Sequence, residues 1–168
     1  MIRPRPAPLF IALIALVAAG CDQLDAQAEF RAAAARAPEG ITRTQDGVTV
    51  EGGEQDNDDW RTAPLFSGRA AITRWVYPNP APLNQAVSLQ LRVFGFDAIP
   101  GGVRLVGYTE SGRRVVLEDD PTAVSDGFYD YTFFPAELVD GTASGLRRVI
   151  LFDRFRSEPI SYGDIRIE

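Results

Sequence analysis

The 168-residue sequence contains no histidine, no lysine and one cysteine, so all 17 basic residues are arginines. Imidazole bases, lysine Schiff bases and histidine-ligated metal centres are therefore excluded, although these groups carry much of general acid–base and covalent catalysis. A single cysteine also excludes a disulfide within the chain. No catalytic motif is present among the remaining residues, and we expect a protein that is not an enzyme.

The first twenty residues have the layout of a secretory signal peptide. Arg3 and Arg5 precede the twelve apolar or small residues 9–20, which end directly before Cys21. A helix of this length spans only about 18 Å at ~1.5 Å per residue, well short of the roughly 30 Å hydrocarbon core of a bilayer. The segment is therefore predicted to direct secretion and not to span a membrane.

The residues Ala18-Ala19-Gly20-Cys21 resemble the lipobox of bacterial lipoproteins, although that family most often has leucine where this chain has Ala18. The resemblance implies that Cys21 is acylated and becomes the mature N-terminus, held in the lipid bilayer by two or three acyl chains. It also implies a cell-envelope protein on a bacterial membrane, facing the periplasm or the cell exterior. The alternative is an ordinary signal peptide with an unrelated cysteine beside the cut. Asp22 leaves open which membrane is used.

Removal of residues 1–20 would leave 148 residues and would change the formal net charge from −6 to −8. That length suffices for one domain with a sizeable core plus a tether. An acidic surface without lysine is repelled by phosphates. Nucleic acid is therefore excluded as a partner.

Residues 21–64 are predicted to form a lipidated N-terminus, a short helix, a hairpin and an acidic linker. The stretch 22–37 is rich in alanine, with acids early, arginines late and a proline behind it, which favours a short helix. Its apolar face is thin, so we expect a spacer beside the membrane, outside the core. Asp46-Gly47 between two β-rich runs predicts the hairpin. Residues 51–59 contain five acids and no apolar side chain, as in a linker or exposed loop.

Residues 65–168 show short β segments at regular intervals and no long helical pattern. Apolar and polar residues alternate in 87–93, as in a strand with one buried face, and the apolar run 149–152 fits a central strand covered on both faces. The pattern predicts an all-β domain built as an antiparallel β-sandwich. The predicted strands are 70–77, 87–93, 103–109, 113–117, 127–134, 146–152 and a last strand at 160–167.

The last predicted strand needs a change of register. Ile160 and Tyr162 share one face, whereas Ile165 and Ile167 share the opposite face. A bulge at Gly163-Asp164 would return all four side chains to the core, and glycine makes such a kink easy.

The order of these features from residue 87 onward resembles the galactose-binding-like jelly rolls of carbohydrate-binding modules. The resemblance is carried by the hairpin 103–117, the strand 129–133 and the ending 163–167. It implies a jelly-roll-like sandwich and a glycan ligand. Immunoglobulin-like sandwiches share most of the pattern and are the alternative topology.

Calcium is the metal that the available side chains could bind, because it prefers six to eight oxygen ligands. The acids of 56–59 are dense, but Trp60 and Arg61 stand where calcium loops of helix-loop-helix proteins require other residues. We therefore interpret 56–59 as a linker and expect no cofactor. A structural calcium of the kind that jelly rolls often carry stays open at three loop acids, Asp97, Asp126 and Asp153.

Aromatic side chains are the remaining candidates for binding, because exposed rings stack on sugars and anchor protein interfaces. Trp60 lies outside any strand pattern and is the first candidate; its alternative role is to pin the linker to the sandwich. Tyr108 and Tyr129 follow, whereas Trp75 is predicted to be core. Two functions stay open. The first is a membrane-anchored envelope lipoprotein whose non-catalytic sandwich binds another protein as an accessory or scaffold. The second is a glycan-binding module displayed at the membrane surface.

Overall fold

The structure, a computed structural model, describes residues 23–96 and 98–168, so the predicted signal peptide and Cys21 lie outside the described residues. A helix, α1, covers 23–34. No helix in the described residues is long and apolar enough to cross a membrane. Two single-turn 3₁₀ helices follow at Pro64–Phe66 and Pro135–Leu138. The strands are β1 (Thr44–Gln45), β2 (Val48–Thr49), β3 (Ala70–Tyr77), β4 (Val87–Val93), β5 (Val103–Tyr108), β6 (Arg114–Asp120), β7 (Gly127–Phe133), β8 (Gly145–Asp153) and β9 (Glu158–Ile167).

The strands β3 to β9 form two antiparallel sheets, and the prediction of an all-β sandwich is confirmed. One sheet has the order β3-β4-β7 and the other the order β6-β5-β8-β9, with the β1-β2 hairpin as a separate pair. Leu89, Leu91, Leu105 and Leu151 are fully buried members of one hydrophobic core. Alternating apolar side chains of the strands therefore build the interior, as their period of two requires.

The order of the strands distinguishes between the two sandwich topologies that the sequence leaves open. The first, second and fifth of the seven strands form one sheet, and the fourth, third, sixth and seventh form the other. In the constant-type immunoglobulin fold the fourth strand instead lies beside the fifth. The observed order therefore matches an immunoglobulin-like sandwich with this one strand moved to the opposite sheet.

The strands with the clearest sequence patterns lie where they were predicted. β3 and β4 have the predicted bounds, and in β4 the apolar residues are buried while the polar ones between them are partly exposed. β8 lies between β5 and β9, and its run Val149–Leu151 is buried, as expected of a central strand.

The predicted bulge at Gly163-Asp164 is wrong. Pairing of β9 with β8 continues through both residues, and the register shift lies earlier in β9, between Pro159 and Ser161. The alternation was misread because both faces of β9 are covered, so that Tyr162 and Ile165 are buried alike although they lie on opposite faces.

The second cover of β9 is α1, which was predicted to be a spacer outside the core. Phe30 is buried in the core cluster, and its ring centroid lies 4.9 Å from that of Tyr162. Gln27 Nε2 donates to Glu158 Oε2 at 3.0 Å, and Arg31 pairs with the same carboxylate. The spacer prediction is therefore wrong for residues 23–34, which pack on the outer face of the four-stranded sheet.

The segment between α1 and β3 also belongs to the packed fold. Asp46 and Gly47 have φ values of 53° and 77°, so the predicted β1-β2 hairpin is confirmed with the backbone that Asp-Gly favours. Further along, the Trp60 amide donates to the Tyr162 carbonyl at 2.6 Å and the Ala63 amide to the Ile160 carbonyl at 2.8 Å. The end of the predicted linker therefore pairs with the edge of β9.

Gly163 is the position where this packing tolerates no side chain. A Cβ atom there would lie 2.3 Å from Cε2 of the Trp60 indole, which real Cβ contacts essentially never show. We expect Gly163→Ala to lower the free energy of unfolding by about 1–3 kcal/mol, because overpacking shifts the ring or the strand. Urea unfolding measures this loss. Gly141→Ala is the matched control, since its Cβ meets only one atom at 3.4 Å, and equal effects of the two variants would contradict the packing.

Candidate functional site

A buried ion pair joins β8 and β9 beneath α1. Arg148 and Asp164 lie opposite each other in the strand register and are 5% and 1% exposed. Arg148 Nη2 donates to Asp164 Oδ2 at 3.0 Å, and Arg148 Nε donates to Oδ1. This bidentate contact matches the planar guanidinium to the carboxylate and gives each buried charge the partner that it needs.

Arg148 also holds the end of α1. Its Nη1 donates to the carbonyl oxygens of Ala33 and Ala34 at 3.1 and 3.3 Å. Carbonyls in the last turn of a helix lack a partner within the helix, and a positive charge is favourable there. The guanidinium carbon lies 4.7 Å from the centroid of the Tyr162 ring. One arginine therefore connects α1 with the neighbouring strands β8 and β9.

Asp59, at the end of the predicted acidic linker, is buried beside this pair. Its carboxylate accepts the backbone amides of Thr42 at 2.6 Å and of Asp164 at 2.7 Å. Burial raises the pKa of Asp59 to about 7, the two amides lower it, and the nearby Asp164 and Asp56 carboxyls raise it. The prediction that the acids of 56–59 form an exposed linker is therefore wrong for Asp59.

The groups around Asp59 form one connected network. Tyr162 Oη donates to Asp58 Oδ2 at 2.8 Å. A side-chain hydrogen bond between Asp56 and Asp58 raises the pKa of Asp56 and lowers that of Asp58. Burial raises the pKa of Asp164, and the hydrogen bonds from Arg148 act in the opposite direction.

We expect Asp59 to make the stability of the fold decrease as pH rises from about 4 to about 7. Folded Asp59 keeps its proton up to about pH 7, whereas an unfolded aspartate loses it near pH ~3.9. Between these two pH values the folded state binds more protons than the unfolded state. The contribution of Asp59 to the free energy of unfolding therefore falls with rising pH and is constant above pH ~7.

Asp59→Asn removes this titration, and urea unfolding of both proteins across this pH range measures the effect. The free energy of unfolding of the unsubstituted protein minus that of Asp59→Asn should be largest near pH 4 and smallest above pH ~7. A difference that does not change with pH would contradict the buried titrating carboxyl.

Carboxylate oxygens of Asp56, Asp59 and Asp164 lie within 4.8 Å of one another. Such oxygens are calcium ligands in general. Here the oxygens of Asp164 and Asp59 already accept hydrogen bonds from the protein itself. Asp164 accepts from Arg148 and, at 3.1 Å, from the Glu39 amide, and Asp59 accepts from two backbone amides. The cluster therefore joins residues 39–59 to β9.

The loop acids considered for calcium are engaged separately. Asp126 is exposed and its Oδ1 lies 2.8 Å from Arg92 Nη2. Asp153 is buried, and its Oδ1 accepts the amides of Phe155 and Arg156 at 2.9 and 3.0 Å. Asp97 lies outside the described residues.

The three aromatic candidates do not share one surface. Trp60 is 2% exposed and lies in the core, so the expectation of an exposed Trp60 ring is wrong: its indole fills the space above Gly163. Tyr129 is half-buried, and its hydroxyl group bonds the backbone of Ser125. Only Tyr108, which is half-buried, lines an open groove.

This groove lies between the end of α1 and the β5-β6 turn, and its volume is about 470 Å³. Residues 34–38 form one wall, Tyr108–Glu110 and Gly112 form another, and residues 146–148 form the third. Alanine, proline, leucine and tyrosine make much of this lining apolar, while the exposed Arg36 and Glu110 contribute opposite charges. A groove with apolar walls and a few polar groups is suited to binding.

Sequence reasoning missed Arg148 and Asp164. Each is a charged residue next to apolar ones in a strand that is covered on both faces, and such a position indicates a buried ion pair. The expected bulge at Gly163-Asp164 left Asp164 without a role, and Arg148 precedes the apolar run 149–152 directly. Neither protein-family models nor curated proteins match this chain.

Proposed function

We propose that the protein is an envelope lipoprotein, anchored in a bacterial membrane through acylated Cys21, whose sandwich binds another envelope protein as an accessory or scaffold. The domain would face the periplasm or the cell exterior. The proposal assigns the chain no catalytic step and no cofactor, in line with a sequence that lacks histidine and lysine.

The observation that carries the anchor is the place of the chain's single cysteine. It follows directly on the apolar stretch 9–20, at the one position that lipid modification requires. Two or three acyl chains suffice for stable anchoring, whereas one chain binds only reversibly.

Cell fractionation tests the anchor. We expect the protein to partition into detergent with the membranes, and we expect Cys21→Ala or globomycin treatment to leave it misprocessed or released. Ala18→Leu, which brings the segment closer to the family pattern, is the control and should keep the membrane association. Unchanged membrane association of Cys21→Ala would contradict the proposal.

The groove between α1 and the β5-β6 turn supports partner binding. It combines apolar walls with exposed groups of both charges, a composition typical of surfaces that bind proteins specifically. Its walls are formed by the end of α1 with the residues that follow it and by the ends of β5 and β8, and a preorganised site reduces the entropic cost of association.

Crosslinking in native membranes, followed by capture of the lipoprotein, tests the groove. Ala35→Trp places a bulky ring at the exposed groove wall, and Ala32→Trp places the same ring on an exposed position of α1 that does not line the groove. We expect one specific crosslinked protein with the unsubstituted chain and with Ala32→Trp, reduced at least tenfold with Ala35→Trp. Equal capture by both variants would contradict binding in this groove.

Glycan binding is the second candidate because the Tyr108 side chain lines the same groove beside Thr109 and Glu110. An aromatic ring beside an exposed carboxyl group, that of Glu110, is suited to a sugar. A glycan array would distinguish the candidates: specific binding that Tyr108→Ala abolishes would favour the glycan, and no binding on the array would count against it.

A further inference from the structure

Exposed apolar side chains are concentrated at one end of the sandwich. In the part of the chain that the structure describes, eight large apolar side chains are exposed. Five of these lie at the end where β4 and β8 finish: Leu24, Phe94, Phe96, Phe128 and Phe155. The four phenylalanines are called the aromatic rim below.

The strand registers place the rim residues together. Val93, the last residue of β4, pairs with Gly127, so Phe94 and Phe128 lie at the same end of their sheet. In the other sheet Asp153 at the end of β8 pairs with Val103 at the start of β5, which brings Phe155 to the end where the loop from β4 enters β5. The bridge between Ile99 and Val124 connects two loops of this end.

The rim side chains are exposed, and contacts with neighbouring side chains position three of them. Phe96, Phe155 and Phe128 are 89%, 81% and 63% exposed. The turn that carries Phe155 is fixed by Asp153, which accepts the amide of Phe155. The guanidinium carbon of Arg92 lies 5.1 and 4.8 Å from the ring centroids of Phe94 and Phe128. Concentrated apolar exposure of this kind marks a contact with a membrane or a protein.

The start of α1 lies at the same end of the sandwich as the aromatic rim. Gln23 Nε2 donates to the Pro64 carbonyl at 3.2 Å, and Gln27 and Arg31 bind Glu158 at the start of β9. The first turns of α1 therefore lie at the rim end. Cys21 comes two residues before Gln23, and two peptide units reach at most about 7.6 Å between Cα atoms. Lipid chains on Cys21 would enter the bilayer beside the rim.

Two carboxylates at this end are compensated by arginines, although the whole chain is acidic. Asp126 pairs with Arg92 at 2.8 Å. Asp119 pairs with Arg104 and Arg154 at 3.0 and 2.9 Å. Compensated carboxylates repel phospholipid headgroups less than free ones, so apolar burial of the phenylalanines can dominate the contact.

We infer that the aromatic rim lies in the interface of the phospholipid bilayer and holds the sandwich against the membrane together with the lipid on Cys21. This inference rests on the proposed anchor. The rim adds a second, non-covalent attachment and fixes which end of the domain faces the bilayer. The groove beside Tyr108 and the last turn of α1 then faces away from the membrane, where a partner can reach it.

Depth-dependent quenching in reconstituted vesicles tests the inference. The acylated full chain is placed in phosphatidylcholine–phosphatidylethanolamine vesicles, with a single added cysteine that carries an environment-sensitive fluorophore. The labelled positions are Phe96→Cys and Phe155→Cys at the rim, and Ala143→Cys, an exposed position at the opposite end, is the matched control. We expect blue-shifted emission and at least fivefold stronger quenching by nitroxide-labelled lipid at the two rim positions than at 143.

The outcomes separate the inference from the proposed anchor. If carbonate washing removes the protein from cell membranes, the proposed anchor is wrong and the inference is wrong with it. Anchored protein with equally weak quenching at all three positions overturns the inference alone. Blue-shifted rim labels that lipid-borne nitroxide does not quench would show that protein covers the rim, and this would also overturn it.

Discussion

Arg148→Met is expected to lower the free energy of unfolding by about 3–5 kcal/mol, because removal of one partner of a buried ion pair leaves the other charge uncompensated. Asp164 is 1% exposed and would lose both guanidinium hydrogen bonds. The carbonyls of Ala33 and Ala34 would lose the guanidinium donor as well, and only that of Ala33 would keep another donor, the Arg36 amide. Thermal and urea unfolding of the protein with intact α1 measure the loss.

Arg104→Met is the matched control, because Arg104 makes a similar bidentate contact with Asp119 on the exposed face of the same sheet. Exposed ion pairs contribute little, so this variant should unfold almost like the unsubstituted protein. The double variant Arg148→Met/Asp164→Asn should recover part of the loss, since it removes the isolated charge. A similar small effect of Arg148→Met and Arg104→Met would contradict the role of Arg148.

Trp60→Ala is expected to lower the free energy of unfolding by about 3–5 kcal/mol, because it removes a large buried ring and leaves a cavity. The ring is 2% exposed and packs on Gly163 of β9, where the segment 60–63 pairs with that strand. The measurement also separates two roles of the same residue, since a side chain used for ligand binding alone contributes little to stability.

Phe155→Ala is the control for Trp60→Ala, as its ring is 81% exposed. We expect its unfolding midpoint to stay close to that of the unsubstituted protein. If Trp60→Ala unfolds like Phe155→Ala but loses binding to a glycan or protein, then Trp60 is a binding residue and its placement in the core is contradicted.

Much of the sandwich could be predicted because the order of apolar and polar residues within each strand indicates which of its faces are buried. The alternation in 87–93 specifies which face of β4 is buried, and the apolar run 149–151 specifies a covered strand. The Asp46-Gly47 turn could likewise be predicted from its own residues, since aspartate and glycine favour the positive φ values of this hairpin turn.

The cover on the outer sheet face could not be predicted, because it depends on contacts between distant parts of the chain. Gln27 binds Glu158, 131 residues later, and α1 offers few large apolar residues that would signal burial. The burial of Trp60, the first candidate for binding, could not be predicted for the same reason: its ring packs on Gly163, which leaves space because it has no side chain. Local periodicity contains no information about such pairs.

The packed α1 changes how the anchor and the domain are related. With the proposed lipid on Cys21, a flexible tether would let the sandwich rotate freely above the membrane, whereas a helix packed on β9 would fix which end of the sandwich lies nearest to the lipid. The aromatic rim and the groove beside Tyr108 lie at opposite ends of α1, about 18 Å apart for twelve residues at ~1.5 Å each. One end can therefore contact lipid while the other is open to a partner.

Mass spectrometry of the N-terminal peptide of protein extracted from cell membranes tests the central claim most directly. The account predicts that the mature chain begins at Cys21 and that this residue carries acyl chains, with the first twenty residues removed. An unmodified Cys21, or a mature chain that begins elsewhere, would contradict the lipoprotein assignment.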